Sequence, residues 1–160
     1  MPQVYVAAVS NVEPEKNIAL AVRELAAAFP GARFSPWYRN TAVGFSGDDF
    51  INLVAGFDTP LALTDVLPKL HAIEEHCGRP RGAPRWAPRS MDLDVLLYGD
   101  LVAEEPGVRV PRPDLLKRAY MLGPLAALAP QVLHPTEKLT IGELWRRFDR
   151  GAHPLVALPR

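Results

Sequence analysis

Residues 4–10, VYVAAVS, constrain the fold more than any other stretch of this chain. They are apolar and rich in β-branched side chains without polar alternation, the pattern of a central strand buried on both faces. Such a strand needs neighbours on both edges, and the rest of the chain must supply them. Asn11 ends it. Pro14 suits a first helical turn, and Ile18, Val22, Leu25 and Phe29 then recur at helical spacing until Pro30 and Gly31 stop the pattern. Residues 33–39 and 50–58 read as a strand pair, joined by a polar connection over 40–49 that is too long for a tight hairpin. Leu63, Val66, Leu67, Leu70 and Ile73 form a second amphipathic stripe, within which Pro68 should kink the helix or delay its start. Residues 92–98 make a fourth strand.

The order strand, helix, strand, strand, helix, strand predicts an α+β fold of the ferredoxin-like kind, an antiparallel sheet with two helices on one face. Short helices follow over 118–128 and 140–148, the second with Thr140 as N-cap and Ile141, Leu144, Trp145 and Phe148 on one side. With 160 residues, 48% of them hydrophobic, the chain can bury one proper core, and a single domain over 1–160 is expected.

Charge excludes some functions. Lys+Arg and Asp+Glu both number 18, so no global basic field recruits nucleic acid or an anionic membrane, and charge chemistry must be local. The single cysteine, Cys77, cannot form an internal disulfide, and a reducing cytoplasm is the expected compartment. The N-terminal apolar run is too short for a signal sequence or a membrane span. The 17 prolines concentrate in 78–90 and 106–113, which read as loops. His71, His76, His134 and His153 show no metal-ligand spacing and read as surface or packing residues.

Residues 78–94, GRPRGAPRWAPRSMDLD, carry the chemistry. Arg79, Arg81, Arg85 and Arg89 present forked donors that match phosphate oxygens. Taken alone, such a loop is more often a solvated one whose arginines pair with surface carboxylates. Asp92 and Asp94 change the balance, because residues two apart in a strand project together while Met91, Leu93 and Val95 face the other way. Two carboxylates in an otherwise apolar strand repel each other and lose hydration, which calls for a cation. The arginines are one source; Mg²⁺ held by one or two carboxylates plus substrate phosphates is the better account.

Residues 85–99, RWAPRSMDLDVLLYG, resemble the signature of the 6-hydroxymethyl-7,8-dihydropterin pyrophosphokinase family. The likeness runs from Ser10-Asn11 through Tyr38-Arg39, Val43-Gly44, Phe50-Ile51-Asn52, Ile73-Glu74 and Gly78-Arg79 to Val110-Pro111, Asp114, Arg118 and Tyr120. It implies a ferredoxin-like enzyme that transfers pyrophosphate from ATP to the hydroxymethyl group of the reduced pterin, releasing AMP, in folate biosynthesis. Two Mg²⁺ would lie on Asp92 and Asp94, which with Arg79 and Arg89 are the implied catalytic residues. The implied ATP contacts are Glu74, Arg79, Arg81, Arg89 and Val95, joined by Arg112 and Arg118. On the pterin side stand Asn40, Thr41, Val43, Asn52 and Asp92, with aromatic faces from Phe50, Trp86 and Tyr120. The loops 44–49 and 78–90 would act as lids. A monomer that meets small-molecule substrates, with no nucleic acid or membrane partner, is expected.

Three positions depart from the family pattern. Val9 stands where Gly is usual before Ser-Asn, adding a side chain near the expected pterin floor that either narrows the pocket or packs into the core. Arg112 replaces a frequent histidine, keeping positive charge but losing titration near neutrality. Pro68 interrupts the second helix. A ferredoxin-like binding module, or a relative that binds both ligands without turnover, remains the alternative to an active enzyme.

Overall fold

A computed structural model of the chain describes residues 1–40, 50–77, 91–149, 151 and 155–159. In chain order it runs β1 (Gln3–Ser10), α1 (Pro14–Ala28), β2 (Arg33–Phe34), β3 (Tyr38–Asn40), β4 (Phe50–Asp58), α2 (Leu63–His76) and β5 (Asp92–Tyr98). A hairpin of β6 (Ala103–Glu105) and β7 (Val108–Val110), a 3-10 turn (Pro113–Leu116), α3 (Ala119–Leu128), α4 (Ile141–Arg147) and β8 (Val156–Ala157) complete it. The sheet order is β5-β1-β4-β3-β8, with β2 also on β4. The apolar run is thus the inner strand it was expected to be, antiparallel to β4 on one side and to β5 on the other. The first and third strands of the ferredoxin-like unit lie side by side at the centre.

Alternation along β1 divides two cores. Val4, Val6 and Ala8 join Ile51, Leu53 and Phe57 of β4 beneath Ile18 and Leu25 of α1 and Val66, Leu70 and Ile73 of α2. Each of these Val, Ile, Leu and Phe side chains contributes about 1.5–3 kcal/mol of transfer free energy. Tyr5, Ala7 and Val54 face the other way, and there Leu115, Leu122, Leu125 and Ile141 cover them. The C-terminal helices therefore form the second layer of the molecule. Thr140 caps α4 as expected, its Oγ1 accepting from the N–H of Glu143 at 3.2 Å.

Several expectations need correction. The strand expected over 33–39 is split, because Pro36 has no N–H to give to the ladder. Ser35 keeps the connection to β4: its N–H donates to the Val54 carbonyl at 2.8 Å and its hydroxyl accepts from the Val54 N–H at 2.9 Å. Pro68 does not delay α2, which begins at Leu63 and runs past it. The loop expected over 106–113 instead holds the end of a hairpin, turned at Pro106-Gly107 with Gly107 at φ 85°, the conformation a turn with Pro before Gly requires. Among the described residues, no helix is long and apolar enough to cross a membrane.

Candidate active site

Among the described residues, the second layer covers one end of the sheet less completely than the rest. β1 is hydrogen-bonded on both edges and its residues from Val4 to Ala8 are buried, as is Ser10, yet Val9 between them is partly exposed. Val9 lies opposite Asn52 of β4 and opposite Asp92 of β5, and Asn52 lies opposite Tyr38 of β3. Directly opposed residues share a face, so Asp92, Val9, Asn52 and Tyr38 form one row across four strands. Asp94 lies on the same side, opposite Ala7, and Phe50 opposes Asn40.

At the β5 end of the row both carboxylates are half-buried and engaged with neighbours. Arg112 approaches Asp94, Nη1 to Oδ1 at 3.6 Å, and reaches Asp114 through Nη2 at 3.8 Å. Its main-chain N–H donates to the Leu96 carbonyl at 2.9 Å, which ties this arginine to the strand that carries Asp94. The Nε of Arg112 is buried without a hydrogen-bond partner. From the helical side Glu74, only 5% exposed, accepts from the N–H of Leu93 at 2.9 Å. Among the described residues no cluster of three or more His, Cys, Asp or Glu side chains forms a protein-only metal site. Two hard oxygen donors on one strand face suit Mg²⁺, which takes its other ligands from water and substrate phosphates, so the residues fit that ion.

The β4 end has the opposite character. Asn52 is fully buried, and its Nδ2 donates to the carbonyl of Tyr120 at 2.7 Å. A carbonyl only accepts, so the amide orientation is forced and Oδ1 faces away, buried and without a donor. The Oδ1 of Asn40 is likewise buried and undonated. A buried acceptor left unmade costs about 1–3 kcal/mol, which an N–H on a ligand would recover. Burial pushes the Tyr120 phenol above its usual range, and the charges of Arg118, Asp114, Asp94 and Arg112 all reach it. Tyr120 therefore lies between the amide end and the carboxylate end.

The structure thus gathers Asp92, Asp94, Arg112, Tyr120, Asn52, Asn40 and Phe50 against one face of the sheet, with Arg118 exposed at the start of α3. Val95 packs into the helix-side core, leaving only its main chain, on an end strand of the sheet, for a ligand. Thr41, Val43, Arg79, Arg81, Trp86 and Arg89, with both expected lids, lie outside the described residues. Two neighbours were not in the expected site. Tyr38 was detectable as the residue two before Asn40 on the same strand face; Asp114 enters only through Arg112.

A 5-1-4-3 strand order, with a half-buried acidic end and a buried amide end on one face of the sheet, defines an α+β protein of ferredoxin-like architecture with a polar row across its central strand. A family profile for 7,8-dihydro-6-hydroxymethylpterin-pyrophosphokinase matches residues 5–130, and the chain belongs to that family. It is 41% identical over 138 residues to the 2-amino-4-hydroxy-6-hydroxymethyldihydropteridine pyrophosphokinase of Pseudomonas aeruginosa, covering 83% of this chain and 84% of the relative. The corresponding Synechocystis enzyme is 36% identical over 135 residues, covering 83% and 69%. In fold the chain resembles solved Plasmodium falciparum HPPK-DHPS, with TM-score 0.70 at 11% identity over 91% of this chain. An HPPK-DHPS structure with substrates gives 0.69 at 10% identity over 94%. This chain spans 44% of each of those two solved chains.

Proposed function

We propose that this chain transfers a pyrophosphoryl group from ATP to the hydroxymethyl group of 6-hydroxymethyl-7,8-dihydropterin, releasing AMP, as a step of folate biosynthesis. One observation carries the reading: the buried, undonated Oδ1 of Asn52 and the carboxylate of Asp92 lie in one row, separated only by β1. Two strand spacings amount to about 10 Å. A bicyclic pterin offers N–H donors at one edge and its hydroxymethyl group at the other, so it can satisfy Asn52 and Asn40 while its hydroxyl reaches the acidic end.

Each residue then has a task. Asn52 and Asn40 accept from the pterin edge, Tyr120 holds the Asn52 amide in the orientation that makes this possible, and Phe50 and Tyr120 offer aromatic surface. Thr41, Val43 and Trp86 belong to the same side. Arg112, with a buried Nε seeking an acceptor, serves the phosphates together with Arg79, Arg81, Arg89 and Arg118; Glu74 and the main chain of Val95 belong to the nucleotide side. Asp92 and Asp94 would hold two Mg²⁺, which when bound neutralise charge on the phosphate oxygens. The pterin hydroxyl oxygen, aligned by the amide end, forms its bond to the β-phosphorus as the bond from that phosphorus to the α-β bridging oxygen breaks. AMP keeps the bonding pair and the hydroxyl proton passes to water. The chain works as a monomer in the cytoplasm on these small molecules.

Purified protein supplied with ATP and 6-hydroxymethyl-7,8-dihydropterin should release AMP and the pterin pyrophosphate in equal amounts, and only with Mg²⁺ present. Release of ADP, or no pterin-dependent AMP, overturns the reading.

A further inference from the structure

We infer that Val9 determines specificity: its isopropyl group is the floor under the middle of the bound pterin and limits the bulk tolerated on the ring carbon next to the one bearing the hydroxymethyl group. The inference rests on the proposed function and adds a residue to it. A side chain on a strand paired at both edges can meet solvent only where the covering layer is incomplete, and Val9 is partly exposed while its neighbours Ala8 and Ser10 are buried. Among the described residues the cover is therefore incomplete above it. Its two cross-strand partners are the residues that hold the two ends of the ligand, Asn52 and Asp92. Any molecule that spans from one to the other crosses Val9.

The floor is also rigid. Ladders to β4 and β5 prevent the backbone from retreating, and a β-branched side chain has few χ1 rotamers open to it. Ala7, the next residue on this face, is buried beneath the second layer, so Val9 is the first side chain of the central strand that a ligand meets. In the dihydro ring the carbon beside the hydroxymethyl-bearing position is sp³, so its two substituents leave the ring plane on opposite sides, and with both hydrogens replaced one group points to the floor. One methyl group against an apolar wall discriminates by about 10–200-fold.

The test compares binding of the parent dihydropterin with that of its analogue carrying two methyl groups on that carbon, by calorimetry with Mg²⁺ and a non-hydrolysable ATP analogue, in wild type, Val9→Ala and Val9→Ile. Wild type should favour the parent by about 10-fold or more, Val9→Ala should shrink that preference by about 10-fold, and Val9→Ile should widen it. Val9→Ile keeps the test alive should the alanine variant fail to fold. A preference that stays the same in every folded variant overturns the role of Val9 alone. Failure of wild type to bind the parent at all overturns the proposed function, and this inference with it.

Discussion

The carboxylate of Glu74 in α2 accepts a hydrogen bond at 2.9 Å from the main-chain N–H of Leu93, the residue between Asp92 and Asp94. β5 is an end strand of the sheet, so an outward N–H on it has no further strand to meet. Glu74 supplies the missing acceptor from the helical layer and fixes the strand segment that presents both carboxylates.

Glu74→Ala should therefore destabilise the protein by about 1–3 kcal/mol, the cost of leaving a buried N–H without its partner. Glu74→Gln retains an oxygen acceptor and should lose clearly less. Urea midpoints at constant slope measure both. An alanine variant as stable as wild type would show that Leu93 finds another acceptor.

Asp92→Ala and Asp94→Ala should each lower the rate of AMP release by about 10²-fold or more, the scale of removing one preorganised electrostatic contact. Neither should unfold the protein, since each relieves repulsion between two half-buried carboxylates. Rates near wild type at saturating Mg²⁺ in either variant would remove that residue from the metal site.

His134, 1% exposed, holds its turn by accepting from the N–H groups of Thr136 at 3.3 Å and Glu137 at 3.2 Å through Nδ1, which requires a neutral ring. Burial pushes its pKa below the usual 6.5, with Glu137 opposing in part. Below about pH 6.5 the unfolded chain then binds more protons than the folded one. The stability His134 contributes should be complete above that pH and should be lost as pH falls through the lower folded value. Thermal midpoints at pH 7.5 and 5.5 should fall further for wild type than for His134→Gln. Equal falls would show that another group carries the acid sensitivity.

Cys77 is 1% exposed, and burial, then the nearby charges of Glu24 and Glu74, push its thiol up to about 11. At neutral pH the native protein should react with a thiol reagent only as fast as it unfolds, because the thiolate is the reacting form. Labelling should accelerate with urea. Immediate, stoichiometric labelling of the folded protein would contradict the buried placement.

What the sequence by itself determined is what depends on local periodicity. The unbroken apolar run of β1 and the helical stripes of α1 and α2 state which residues must be buried, because side-chain direction repeats every two residues in a strand and every 3.6 in a helix. The same rule places Asp92 and Asp94 on one face with no partner strand in view. The missing N–H of Pro36 was also written in the chain, but the side chain of Ser35 that bridges the break could be recognised only opposite Val54. What the tertiary structure decided is register and cover. Nothing local tells Val9 that it will face Asn52 on one side and Asp92 on the other, or brings Arg112 from beyond β7 to Asp94; those contacts arise from strand pairing and loop return between distant segments. A valine in a central strand reads as core from its own sequence. It meets solvent because the layer of α3 and α4 that buries Tyr5, Ala7 and Val54 covers Val9 only in part.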